Sequence, residues 1–336
     1  MTSLTTTLAT ELNLRPAQVT AALELFAEGA TVPFVARYRK ERTGNLDEVQ
    51  LRHIAERHQY LTELEERRQT VLDEIAAQGK LTDALKSAIL ACQQKTELED
   101  LYLPHRPKRR TRATMAKEKG LEPLAEAIAE LNRSGQRQSL AQLAKPYVSA
   151  TGAPSVEEAL QGAADILAEQ VAERADLRRY LRDQLLQRGH ITAAIKKEHR
   201  EGTTKFDMYR DYQAPLRTIA SHNLLALWRG EREGILKVGL DLEVDPILHA
   251  LEKRLVKTPV TEIRQFYQEV IKDAYGRLLK PSLTSEVMAE KKAWADGVSI
   301  QTFEANLKNL LLSPPAGMKP TLGVDPGFRT GCKVAA

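Results

Sequence analysis

Residues 45–79 read NLDEVQLRHIAERHQYLTELEERRQTVLDEIAAQG, a stretch typical of one long amphipathic helix. Asn45 is a good N-cap residue, and Glu48 lies three residues further on, where its side chain can reach back to the free N–H groups. Gly79 predicts the end of the helix. A second helix from about 82 to 92 is predicted to fold back on the first as a helical hairpin. The apolar positions of the long helix recur at helical spacing: Leu51, Ile54, Leu61, Leu64, Leu72 and Ile75.

The composition predicts a folded and mostly helical protein. Hydrophobic residues make up 42% of the 336 residues, enough to bury a core, while aromatic residues make up only 5%. Leu, Ala, Glu, Gln, Arg and Lys dominate, and these residues lose little side-chain freedom in a helix. With 49 basic and 45 acidic residues the net charge is +4, so nucleic-acid binding depends on whether positive charge gathers on one surface.

Several protein classes are disfavoured by what the sequence lacks. Cys92 and Cys332 are far apart and form no C-x-x-C, which argues against a disulfide framework and a zinc site. There is no apolar run of about 18 residues and no basic segment followed by an apolar one at the start, so we expect a soluble, cytoplasmic protein with no membrane partner.

Helical patterns continue along most of the chain. Pro16 predicts the start of the first helix, and Ser155 with Glu158 predicts the capped start of a later one. Near residue 195 glycine, threonine and aromatics appear among charges, so we place a domain boundary there. Residues 234–240 predict an isolated strand.

Residues 245–312 return to helical spacing, with a break expected near Gly297. A helix-turn-helix in this region could place polar and basic side chains in the major groove, and equally could serve as a packing unit. A breaker cluster follows at 313–317. Residues 321–336 then predict a strand, a glycine turn and a second strand. The side chains available to such a recognition helix are Lys291, Lys292, Lys308 and Asn309.

The most basic segment of the chain is the loop at residues 105–112. Pro104 and Pro107 exclude a helix there, and its charges all have one sign. Its cations could pair with phosphates, and binding would then depend steeply on salt. They could equally form salt bridges to acidic helices and brace the fold. The candidate nucleic-acid contacts in this loop are Arg106, Lys108, Arg109, Arg110 and Arg112.

A second candidate segment interleaves aromatic and basic residues. It contains Arg37, Tyr38, Arg39 and Lys40, and stacking combined with positive charge is the physics of single-strand binding. We favour a structural interpretation, in which Phe34, Val35 and Tyr38 pin the segment to the core while Arg37 pairs with a buried carboxylate. Arg37, Arg39 and Lys40 remain candidate nucleic-acid contacts.

Three ordered stretches resemble the Tex family of transcription accessory proteins. They are PFVARYRKE at 33–41 with Thr43-Gly44, LEDLYLP at 98–104 with RPKRRTRAT at 106–114 and GLEPL at 120–124, and LGVDPGFRTGCK at 322–333. The resemblance spans essentially the whole chain. It implies a helical amino-terminal region with a helix-turn-helix-like module, an RNase H-like domain of the YqgF type, helix-hairpin-helix motifs and an S1 domain.

On that comparison the chain is expected to be a mainly α, multi-helical amino-terminal fragment. The domain ranges are 1–195 for the Tex-type helical domain, 196–318 for a second helical region with the helix-turn-helix-like module, and 322–336 for the truncated start of the RNase H-like domain. The S1 domain would be absent.

No catalytic residue, metal site or cofactor is predicted. Asp325 lies in a pattern similar to the metal-binding first strand of RNase H-like nucleases, and less so to the phosphate loop of actin-like ATPases. Two-metal cleavage needs several convergent carboxylates, so we do not expect Asp325 to be catalytic in this chain. The seven histidines show no metal-ligand spacing, and no hydrolase or P-loop motif is present.

We therefore expect a nucleic-acid-binding transcription accessory factor that is not itself an enzyme. RNA or DNA is the expected partner, with RNA polymerase or the ribosome as further candidates and no small-molecule substrate. Two alternatives stay open at this point. One is a protein-interaction scaffold that docks on transcription or translation machinery, and the other is part of a metal-dependent RNase H-like nuclease.

Overall fold

A computed structural model describes residues 4–150, 152–314, 317–327 and 331–336, and these residues are mainly α-helical, as predicted. The chain consists of two compact units, each with more contacts within itself than with the other. The first comprises Met1–Leu181 with Asp245–Lys280, and the second comprises Arg182–Val244 with Pro281–Ala336. The domain ranges 1–195, 196–318 and 322–336 stay predictions.

The first unit begins with helices that share one apolar core. Pro16 opens a helix, as predicted, because its missing N–H is not needed in the first turn, but that helix is the second of the chain and not the first. The helices are α1 (Leu4–Glu11), α2 (Pro16–Ala27), α3 (Val32–Tyr38) and α4 (Glu48–Ala77). Their fully buried side chains include Leu8, Val19, Leu25, Val35, Leu51 and Ile54.

Helix α4 begins two residues later than its N-terminal pattern predicts. Asp47 is the N-cap and accepts a hydrogen bond from the Gln50 amide at 2.8 Å, while the Gln50 side chain accepts one from the Asp47 amide. Asn45 instead adopts a left-handed backbone conformation, with φ 65°, which asparagine tolerates better than most residues. The predicted end is confirmed, since Gly79 follows the helix with φ 66°.

The predicted hairpin partner is observed as α5 (Asp83–Ala91), followed by α6 (Lys95–Tyr102). Both pack against the carboxy-terminal half of α4 in a second core. Its buried side chains are Leu64, Val71, Leu72, Ile75, Ile89, Cys92, Leu98 and Tyr102.

Helices dominate the remainder of both units. Ser155 caps α10 through the amide of Glu158 at 3.2 Å, as the capping pattern predicts. The remaining helices are α7 (Arg112–Glu118), α8 (Glu122–Ser134), α9 (Leu140–Ala144), α10 (Val156–Ala172), α11 (Ala175–Arg188), α12 (Ser221–Arg232), α13 (Val244–Leu255), α14 (Thr261–Asp273) and α15 (Lys280–Leu311).

The strand predicted as isolated belongs to a three-stranded antiparallel sheet in the second unit. The strands are β1 (His190–Ile195), β2 (Asp211–Pro215) and β3 (Leu236–Asp241), in the order β2-β1-β3. The prediction was wrong because the partner strands are short and half-polar. Helix α12 packs closely on β3 at Gly230, where a Cβ atom would lie 2.5 Å from the Leu236 side chain.

The break predicted at Gly297 is wrong, because α15 runs through that position without interruption. A π-helical stretch, Ala274–Leu279, joins α14 to α15. Lys292 is paired with Asp296 at 2.6 Å, and Lys291 lies over the Trp294 ring. The helix-turn-helix interpretation stays a prediction.

The carboxy-terminal strands are β4 (Gly323–Pro326) and β5 (Cys332–Ala335), which pair antiparallel with Val324 opposite Val334. The predicted breaker cluster and glycine turn include residues 315–316 and 328–330, which lie outside the described residues. The RNase H-like assignment of this pair stays a prediction. Among the described helices, none is both long enough and apolar enough to span a membrane.

Candidate nucleic-acid interface

We name residues 34–40 the aromatic–basic segment. It consists of most of α3 and the two residues that follow. Thr31 precedes the helix in an extended conformation and Pro33 lies in its first turn, where a proline costs no hydrogen bond. Val35 is completely buried among the side chains of α2 and α4. Val35, with the half-buried Val32 and Ala36 beside it, therefore holds this short helix on the core.

The aromatic side chains of the segment form an exposed pair. Phe34 is 40% exposed and Tyr38 is 60% exposed. They lie four residues apart, on one face of α3, with ring centroids separated by 5.4 Å. The pair leaves ring surface open to solvent, where a nucleic-acid base could stack.

Two arginines flank this aromatic pair. The Arg39 guanidinium lies 5.3 Å from the Phe34 ring centroid, and that of Arg37 lies 6.0 Å from the Tyr38 centroid. Within the described residues, Arg37, Arg39 and Lys40 form no ion pair. Their charge is therefore available to a phosphate.

The structural interpretation, in which three apolar side chains attach the segment to the core and Arg37 pairs with a buried carboxylate, is wrong in two respects. Phe34 and Tyr38 are not buried beside Val35, and Arg37 has no carboxylate partner among the described residues. The four-residue spacing of Phe34 and Tyr38 already indicated in the sequence that the two rings share one face of the helix. Val35 lies on another face of the helix.

The basic loop, residues 105–112, connects a 3-10 turn to α7. The Gln78 side chain at the end of α4 donates a hydrogen bond to the His105 carbonyl at 2.8 Å. At the other end, Thr111 caps α7 by accepting a hydrogen bond from the Thr114 amide at 3.0 Å. Both ends of the loop are thus attached to helices of the first unit.

Burial lowers the pKa of His105, and the nearby charges of Lys80 and Lys108 lower it further. Its side chain is therefore neutral at pH 7. His105 adds no positive charge to the loop.

Lys108 and Arg110 form ion pairs with acidic residues of helices. Lys108 pairs with Glu173, the C-cap residue of α10, and, at 3.3 Å, with Glu169 in the last turn of α10. Burial raises the pKa of Glu173, although Lys108 acts to lower it. Arg110 pairs with Glu118 on α7 at 2.7 Å. Lys108 therefore braces the loop against the end of α10, and its side chain is only 27% exposed.

The other predicted loop contacts are exposed. Arg106 and Arg109 form no ion pair with any residue that the structure describes. Arg112 is exposed on the first turn of α7, and its charge acts with that of Arg277 to lower the pKa of Asp165. Burial has the larger effect and leaves the pKa of Asp165 raised. Arg106 and Arg109 are the loop cations that are most accessible to a phosphate.

Asp325 lies on β4 opposite Lys333 of β5 and is exposed. Within the described part of the chain, no group of three or more His, Cys, Asp or Glu side chains is close enough to hold a metal ion.

Comparison with known proteins places this architecture in one family. A model of the Tex-like protein N-terminal domain matches residues 2–76, and a model described as Tex central region-like matches residues 136–303. The chain belongs to the Tex family. Within the family, it is 43% identical to the transcriptional accessory protein Tex of Neisseria gonorrhoeae, over 99% of this chain and 44% of that protein. It is also 43% identical to protein YhgF of Escherichia coli, over 98% of this chain and 43% of that protein.

The similarity extends to eukaryotic proteins. The chain is 29% identical to the human S1 RNA-binding domain-containing protein 1, over 96% of this chain and 33% of that protein. The chain therefore spans less than half the length of the relatives described here.

Proposed function

We propose that this chain binds single-stranded nucleic acid as part of a transcription accessory protein. The observation that carries the proposal is the exposed Phe34–Tyr38 pair with Arg37 and Arg39 beside it. Aromatic rings stack on bases of any sequence, and adjacent guanidinium groups pair with the backbone phosphates. Arg106 and Arg109 of the basic loop would supply further phosphate contacts.

The names of the relatives support this proposal. One relative is called a transcriptional accessory protein, and another is named for an S1 RNA-binding domain. We propose the cytoplasm as the place of action and RNA polymerase or the ribosome as the assemblies where the chain meets RNA. The role is binding, and we propose no catalytic activity for the chain. Magnesium- or manganese-dependent cleavage of RNA that is lost in Asp325→Ala would contradict this.

The binding test compares labelled single-stranded RNA with duplex DNA by fluorescence anisotropy across a salt series. Tyr38→Ala is expected to weaken RNA binding by about 1 to 3 kcal/mol, the usual contribution of one stacked base. The Arg37→Ala/Arg39→Ala double variant should reduce the slope of log K against log salt by about 1.4, since each phosphate contact on a single strand contributes about 0.7.

The matched control is Arg133→Ala/Arg137→Ala, which removes two exposed arginines elsewhere in the first unit. Its RNA binding should equal that of the unmodified chain. No RNA binding at low salt, or an equal loss in the control, would disprove the assignment. Lys108 pairs with acidic residues of α10 and its C-cap. Lys108→Ala is therefore expected to lower the melting temperature and to leave the slope of log K against log salt nearly unchanged.

A further inference from the structure

The first unit also contains a groove whose chemistry is opposite to that of the candidate nucleic-acid interface. It lies between α10 and α14 and has a volume of about 510 Å³. Its floor is apolar and is formed by Leu160, Ala164, Phe266 and Val270. In each helix the two floor residues are four positions apart, so each pair lies on one helical face.

The rim of the groove is acidic. It includes Glu157, Glu269 and Asp273 together with the neutral Gln161 and Gln265, and among the residues that the structure describes no lysine or arginine lines the groove. Asp273 is paired with Arg277 at 2.9 Å. Glu157 and Glu269 are exposed and form no ion pair with a described residue. Local negative charge in a chain of net charge +4 disfavours phosphate and favours a cationic partner.

Glu157 could serve only its own helix, because an acidic side chain in the first turn of a helix stabilises the positive end of the helix dipole. Glu158 occupies the same first turn and provides that stabilisation equally well. Glu158 does not line the groove. The dipole of α10 also does not account for Glu269, which lies on α14. It does not account for the apolar floor between the two carboxylates either.

We propose that this groove binds a basic amphipathic helix of a partner protein. Apolar side chains one turn apart on that helix would enter the floor, in the way that helical peptides occupy hydrophobic grooves. Lysine or arginine side chains on either side of them would meet Glu157 and Glu269. This site is independent of the proposed nucleic-acid interface, and it would allow the chain to contact a protein and RNA at the same time.

The test uses the 336-residue chain and a fluorescently labelled peptide of about 12 residues, or about three helical turns. The peptide has leucines at helical spacing on one face and lysines flanking them. We expect a dissociation constant on the order of 10 to 100 µM. Two further peptides replace either the lysines by glutamate or the leucines by serine. Both are expected to bind at least about tenfold more weakly.

The matched variants locate the site. Glu157→Lys/Glu269→Lys should weaken binding of the lysine–leucine peptide by about tenfold or more, whereas Glu158→Lys should leave it unchanged. All the replaced side chains are exposed, and circular dichroism verifies that the fold is retained.

Three outcomes would overturn the proposal. They are no binding at about 1 mM chain, an equal loss of binding in Glu158→Lys, and equal binding of the serine peptide. Equal binding of the serine peptide would indicate charge attraction without the apolar floor. Retained peptide binding in Arg37→Ala/Arg39→Ala would separate this site from the RNA interface.

Discussion

Asn132 shows how one buried polar side chain organises a distant turn. It lies on α8, is 5% exposed, and donates from its amide nitrogen to the Leu255 carbonyl at 2.9 Å. Its side-chain oxygen accepts hydrogen bonds from the amides of Lys257 and, at 3.4 Å, Thr258. A single amide group thus satisfies the backbone at the end of α13 and in the turn that leads into α14.

We expect Asn132→Ala to lower the free energy of unfolding by about 2 to 4 kcal/mol, because it leaves buried backbone groups without partners. Urea denaturation followed by circular dichroism measures the change. Asn309→Ala, at an exposed position of α15, is the control and should alter stability by less than about 0.5 kcal/mol. A loss below about 0.5 kcal/mol in Asn132→Ala would show that water replaces these hydrogen bonds.

At the scale of elements, the last three turns of α15 differ from the other long helices. Residues 300–311 are all exposed, including Ile300 and Phe303 at 66% each and Leu310 at 70%. Most helical stability in proteins comes from the packing of an apolar face, and this part of α15 lacks such packing. Its apolar side chains therefore contribute little to folding.

A variant that ends at Ser299 is expected to keep the melting temperature of the full chain within about 2 °C, since a loss of 1 kcal/mol would lower it by about 2 to 4 °C. Backbone amides of residues 300–311 should also exchange with deuterium faster than those of α10. The matched control is a variant that removes α1, whose Leu8 is completely buried, and its melting temperature should fall. Slow exchange in residues 300–311 would contradict this description.

At the scale of the molecule, the two candidate RNA-binding segments lie at opposite ends of α4. Val35 packs with Leu51 and Ile54 near its start, whereas Gln78 at its end holds the basic loop. With a rise of 1.5 Å per residue, about 27 residues of helix separate the segments by about 40 Å. A single strand that touches both segments must therefore be long.

For a strand whose bases stay stacked at about 3.4 Å per nucleotide, as along one strand of a duplex, that distance corresponds to roughly 12 nucleotides. We expect RNA of about 20 nucleotides to bind at least about tenfold more tightly than RNA of about 8, because only the longer strand reaches both segments. Arg106→Ala/Arg109→Ala should remove most of this difference in anisotropy titrations. If the gain with length is the same in that variant, the basic loop takes no part in binding.

The amino-acid sequence by itself determined the helices and many of their ends. Pro16, Ser155 and Gly79 specify helix termini through hydrogen bonds and backbone angles within a few residues. The same local rules did not detect the pairing of β1 with β2 and β3, because strand pairing joins residues that are far apart in the sequence.

Only the tertiary structure decided which charges are available to a partner. Lys108 and Arg109 are neighbours in the sequence, yet Lys108 meets Glu169 and Glu173, 61 and 65 residues away, while Arg109 stays in solvent. Likewise, the sequence placed Phe34 beside Val35, and packing on α4 buried only Val35. Local patterns extend over one or two helical turns, whereas burial and ion pairing depend on which helices meet.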